Sequence, residues 1–187
     1  IATDELTKRI ATLTDKLPSE DAVVEDLLSN RRKALAVSVG NLTSENHNQG
    51  RELFKKNCQI CHQLSGEGKQ VGPNLDGIGN RGLDRILEDV LAPNRNVDVA
   101  FRTSSVVTTE GKAYSGLLKE LEGNRIVIVD SQAKETILQT DTIEERLLSV
   151  LSPMPSNVGE TLSQDQLRDL VGFLLSQRKI VEGAGRQ

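Results

Sequence analysis

Tryptophan is absent from this 187-residue chain, and only Phe54, Phe101, Tyr114 and Phe173 are aromatic. A core built from side chains alone is therefore aliphatic and short of large rings. No run approaches the roughly 18 consecutive apolar residues that a membrane helix requires, and no signal peptide opens the chain. Ile1 is not an initiator Met, so the sequence reads as a processed or excised piece, and a missing targeting segment says nothing of the parent protein's location. There is no basic tract, and there are too few aromatics to stack bases, which argues against nucleic acid as a partner. Sulfur and imidazole are scarce as well: two Cys, two His and one Met. Any chemistry that needs those groups has few candidates.

Charge is spread unevenly over the formal net of −4. Residues 48–81 carry five basic and three acidic groups and form the only net basic segment. Both cysteines and one histidine fall inside it, in NCQICHQLSGEGKQVGPNL, residues 57–75.

A cysteine pair with this spacing has three chemical readings. A redox dithiol needs its C-x-x-C at the end of a strand, opening a helix within a βαβ pattern. Here the preceding HNQGRELFKKN reads as a helix with Leu53 and Phe54 on one face, and no apolar strand leads into Cys58. A zinc site needs four ligands, usually as two pairs. Cys58, Cys61, His62 and His47 are the only Cys and His residues, and Cys61 and His62 are adjacent, an arrangement a structural site rarely uses for two corners. C-x-x-C-H is the pattern of c-type haem attachment. One helical turn lets Cys58 and Cys61 reach the two vinyl groups on one porphyrin edge, and His62 then projects under the ring toward the iron. A buried porphyrin would also supply the bulk that the missing aromatics do not.

The surroundings sharpen this reading. The runs GRELFKKNCQICH, VGPNLDGIGNR and MPSNVGETLSQDQLRDLVGFLLS, in that order, resemble a class I cytochrome c. The resemblance implies that Gly50 and Phe54 on the first helix pack against Phe173 on the last. It implies that the Pro73 carbonyl accepts the hydrogen bond of the His62 imidazole, which fixes the ring's tautomer, and that Arg81 contacts a haem propionate. It also implies a sixth ligand in Met154, the only Met, in LSPMPSN ahead of the final helix. Pro153 and Pro155 restrict that loop without regular structure. His47, eleven residues before Cys58 at the start of the first helix, reads as a surface or capping residue. The iron ligands are then His62 and Met154. Methionine ligation raises the potential relative to two histidines, and filling both axial positions leaves electron transfer, with no enzymatic role. The alternative is a haem enzyme or sensor in which the Met leaves and admits a small molecule.

The stretch between Arg81 and Met154 is far longer than a minimal cytochrome needs. GLDRILEDVLAP predicts a helix ended by Pro93, with Leu83, Ile86, Leu87, Val90 and Leu91 at helical spacing. RTSSVVTTEG, KAYSGLLKELEG, NRIVIVDSQA and KETILQT predict short strands separated by turns, with IEERLLSV as a fifth. They form a small antiparallel meander or SH3-like barrel over about residues 102–150. Leu6, Ile10, Leu13 and Leu17 make one N-terminal stripe, and Val23, Val24, Leu27, Leu28 and Leu35 a second after a break at LPSED, which predicts a helical hairpin. VGNLTSENHNQG reads as a linker.

The expected fold is mainly α: a class I cytochrome c with a β insertion and an N-terminal helical hairpin. Residues 1–43 form the helical segment and 44–187 the cytochrome domain. The whole arrangement resembles the planctomycete-type haem-binding domain over about residues 48–178. That resemblance implies one covalently bound haem c per chain and a periplasmic or exported location. It implies a redox partner protein, with an upstream dehydrogenase module of the same polypeptide as the donor and residues 1–40 as the tail of an upstream helical module. Arg51, Lys55, Lys56 and Lys69 are expected to rim the haem edge beside the cysteines and to steer an acidic acceptor.

Overall fold

The computed structural model describes residues 2–14 and 19–179. Helix α3 (Ser44–Asn57) starts where the Thr43 side chain accepts the Asn46 N–H and the Asn46 side chain accepts the Thr43 N–H, a reciprocal cap. His47 lies within the first turn and takes no part in that cap. The last helix, α6 (Gln164–Ser176), is capped in the same way by Ser163 and Gln166. These two helices cross at Gly50. A Cβ there would sit 2.1 Å from the Asp169 carbonyl oxygen, so only glycine lets the backbones approach this closely. One turn on, the rings of Phe54 and Phe173 meet with centroids 5.8 Å apart and planes tilted by 46°. The buried Asp169 side chain bridges the crossing, accepting from Asn46 at 3.1 Å and from Arg168 at 2.8 Å. Truncating Phe54 removes one of the few aromatic volumes in this core. Phe54→Ala is expected to cost about 3–5 kcal/mol, measured by urea unfolding of the holoprotein.

Helix α4 (Gly82–Leu91) buries Ile86, Leu87, Val90 and Leu91 against the same core. Helix α2 (Glu20–Ala36) packs on α4, burying Leu28 and Leu35 in the cluster that holds Phe54 and Phe173. Arg32 reaches Asp84 at 2.6 Å and Arg95 reaches Glu25 at 2.5 Å across that contact. The stretch expected as a linker is packed too. Val39, in a short 3₁₀ turn, joins the core, and Leu42 lies on Gly172 of α6.

Helix α1 (Ala2–Thr14) corrects the expected hairpin. Its stripe of Leu6, Ile10 and Leu13 stays exposed, Leu13 by 75%. The two helices do not pair through their apolar faces because the buried side of α2 is spent on α4. Leu17 and Pro18, which open the break, lie outside the described residues.

A two-residue hairpin, β1 (Gln63–Leu64) and β2 (Glu67–Gly68), follows α3. The insertion is a five-stranded antiparallel sheet of β3 (Ser104–Thr108), β4 (Ala113–Leu121), β5 (Arg125–Val129), β6 (Glu135–Gln139) and β7 (Ile143–Leu148). Its strand order is β6-β5-β4-β3-β7, so the last strand returns beside the first. One face closes on Val106, Ile126 and Ile128. The other, through Leu117, Val127 and Val129, packs on Val71 and Cys61 of the helical part. A short helix α5 (Val158–Thr161) leads into α6. No helix among the described residues is long and apolar enough to cross a membrane.

Candidate functional site

Helix α3 does not release the chain at Asn57. The Cys58 N–H donates to the Phe54 carbonyl at 2.8 Å, and Cys61 and His62 both donate to the Cys58 carbonyl, at 3.0 and 2.9 Å. The two cysteines therefore stand one helical turn apart, and His62 follows directly. Their surroundings differ. Cys58 packs on the helical core, and Cys61 packs on the sheet cluster of Val71, Leu117, Val127 and Val129.

The chain then folds back over His62. Val71 and Gly72 both donate to the Cys61 carbonyl, at 3.0 and 2.8 Å. This brings the Pro73 carbonyl to 2.8 Å from His62 Nδ1. A carbonyl can only accept, so Nδ1 carries the proton and Nε2 is left with its lone pair. Gly72 lies against the ring: a Cβ there would come within 2.8 Å of His62 Cε1. A glycine at this point is what permits the backbone to cradle the imidazole. Sequence reasoning singled out Pro73 and passed over its neighbour, although both stand in the same VGPN run.

Electrostatics separate the readings of the cysteine pair. Burial, and secondarily the neighbouring Cys61, pushes the Cys58 thiol up to about 12. Burial also raises Cys61, against the lowering effect of Lys69. A catalytic dithiol requires the opposite, a thiol depressed toward neutrality. Among the described residues no cluster of three or more His, Cys, Asp or Glu stands in metal-binding proximity. Burial lowers the His62 pKa, against the raising effect of the Pro73 bond, which favours the neutral imidazole, the form that binds a metal. Two thiols a turn apart, an imidazole whose Nδ1 is engaged and whose Nε2 is left over, and a cradle closed by glycine fit a covalently held haem.

The other expected site residues lie elsewhere. Arg81 ends a 3₁₀ turn before α4 and pairs with Asp89 at 3.0 Å, while Arg85 holds the second Asp89 oxygen at 3.1 Å. Burial raises the Asp89 pKa in spite of both guanidinium groups. Met154 is half-buried in the loop between β7 and α5, its N–H donating to Ser152 Oγ at 3.1 Å. Three of the four cations expected to rim the haem edge have partners: Lys55 with Glu52 at 2.7 Å, Arg51 with Glu67 at 3.6 Å, and Lys69 with the Ala133 carbonyl at 3.4 Å. Lys69 thereby ties the haem-motif loop to the insertion, as does Lys119 through the Gln70 carbonyl at 3.2 Å. Cys61 itself packs against the sheet, which a sequence pattern of strands does not reveal.

Residues 48–122 match the family model for cytochrome c. This match supports a cytochrome c family domain at those residues. That domain implies covalently bound c-type haem with iron, electron transfer as its use, and a redox partner. The matched span contains Cys58, Cys61, His62, Pro73 and Arg81 and runs to the end of β4, while Met154 and α6 lie beyond it. No curated protein matches the chain.

Proposed function

We propose that this chain is a non-enzymatic electron relay: a class I cytochrome c of the planctomycete type, with one haem c held by Cys58 and Cys61 and His62 and Met154 as axial ligands. The observation that carries the reading is the His62 ring, held by its Nδ1 on the Pro73 carbonyl with Nε2 free. The haem would supply the one-electron couple. The protein's own contribution is to orient the ligand nitrogen, exclude water with the apolar residues on both sides of the cysteines, and offer a thioether in a loop bounded by two prolines. Arg81, braced by Asp89, is the candidate to meet a propionate. The strand order, with a 3₁₀ turn at Thr140–Thr142 before the last strand, supports reading the insertion as an SH3-like barrel. Haem c is attached outside the cytoplasm, so the location is periplasmic or exported. The donor is a dehydrogenase module upstream in the same polypeptide, and the exposed apolar stripe of α1 is a surface that such a module would cover.

The test is a reduced-minus-oxidised spectrum of protein matured with a haem-ligation system, recorded with and without carbon monoxide. A six-coordinate spectrum indifferent to carbon monoxide is expected. A shift on adding the gas would overturn the relay in favour of a haem enzyme or sensor with a displaceable sixth ligand.

A further inference from the structure

We propose that Asn94 positions the sixth ligand, acting on the Met154 loop through Ser152. The inference rests on the reading of Met154 as that ligand. Asn94 Oδ1 accepts the Ser152 N–H at 2.9 Å, and Ser152 Oγ accepts the Met154 N–H at 3.1 Å. Asn94 and Ser152 are 58 residues apart, on either side of the entire sheet.

Both ends of this relay are built to hold. Asn94 lies in the turn that ends α4, where Ala92 still donates to Glu88 at 2.8 Å, Pro93 forbids a further helical turn, and Arg95 donates to Ala92 at 3.0 Å. The turn is braced by the Arg95–Glu25 pair on α2 and by the Asn96–Glu88 bond on α4. At the other end, Thr103 donates to the Leu151 carbonyl at 2.9 Å and accepts from Ser149 at 2.8 Å, which pins the chain as it leaves β7. Beyond Leu151 the main-chain ties stop. Pro153 and Pro155 have no N–H, so Met154 supplies the only backbone donor among residues 153–155. Among the described residues, no hydrogen bonds other than those through Asn94 and Ser152 reach residues 152–155. Two side chains thus carry the restraint that keeps the thioether where the prolines point it.

Removing the Asn94 acceptor leaves the Ser152 N–H without its protein partner and frees the loop. The Met-off form then gains by the value of about one hydrogen bond, and exogenous imidazole, which competes for the same position, should bind ferric Asn94→Ala roughly tenfold tighter than parent. The far-red sulfur-to-iron band should weaken in parallel. Asn94→Asp retains an acceptor oxygen and should restore parent affinity. Ser152→Ala removes the acceptor of the Met154 N–H and should shift affinity in the same direction as Asn94→Ala, which keeps the test open if Asn94→Ala fails to fold. Far-ultraviolet circular dichroism and covalent haem content serve as folding checks. Parent-like imidazole affinity in both Asn94→Ala and Ser152→Ala overturns the proposal, and so does an Asn94→Asp variant that binds imidazole as tightly as the alanine form. Met154→Ala separates the two levels of inference. If it leaves the spectrum of the parent unchanged, the ligand reading itself has failed; if it alters the spectrum while Asn94→Ala does not, only the positioning role has.

Discussion

Replacing both Cys58 and Cys61 with alanine is expected to turn a haem that survives denaturation into one that acidified organic solvent removes completely. The two cysteines are the only thiols in the chain, so no other pair can form thioether bonds. Their placement makes the effect all-or-none. A helical turn sets the spacing through the Cys61 N–H on the Cys58 carbonyl at 3.0 Å, and that turn continues from α3, which is anchored by Phe54 and Gly50 in the core. Each single variant should keep one bond and resist extraction while shifting the absorption maximum, because one vinyl group stays unsaturated. The mass of the intact parent should exceed that of the polypeptide by one haem. Two titratable thiols in the mature protein would contradict attachment at this site. An unattached pair would also be a poor redox centre, since burial holds the Cys58 thiol up at about 12 and leaves almost no thiolate at neutral pH.

Met154→Ala should have the second largest effect, abolishing the far-red band of the oxidised protein, lowering the potential and opening the iron to carbon monoxide. The direction follows from chemistry: a thioether favours ferrous iron, and losing it removes that preference along with the sixth bond. Because Met154 is the only Met, no second thioether can take its place. His47 is the natural control. It lies in the first turn of α3, its N–H on the Thr43 carbonyl at 3.2 Å, and its replacement should leave spectrum and potential as in the parent. An unchanged spectrum in the Met154 variant would assign the sixth position to another group, with lysine the first to examine.

The geometry of the cysteine–histidine segment was legible in the sequence because it is local. Cys58, Cys61 and His62 fall within five residues, and Pro73 returns after eleven more, so helix geometry and a short loop are enough to bring them together. The strands of the insertion were legible for a similar reason: alternating Val, Ile and Thr between turns is a short-range signal, and IEERLLSV does form the fifth strand. Gly50, Phe54 and Phe173 stood out only through resemblance. The packing of the two rings, with centroids 5.8 Å apart, then gives that pattern its physical content.

Sequence by itself determined the chemistry available to this protein: one pair of thiols, one histidine beside them, one methionine between prolines, and little aromatic bulk with which to build a different core. Tertiary structure decided how those groups are supported. It placed α2 in the core with α4 and left the stripe of α1 in solvent, a choice set by which apolar face finds a partner and not by the periodicity that both helices share. It laid the sheet over Cys61, through side chains that alternate along strands with no mark to tell which face will be buried against another part of the chain. It also joined Asn94 to Ser152 across the whole insertion. A hydrogen bond between residues so far apart in the chain depends on where two loops end in space, and no local pattern records that.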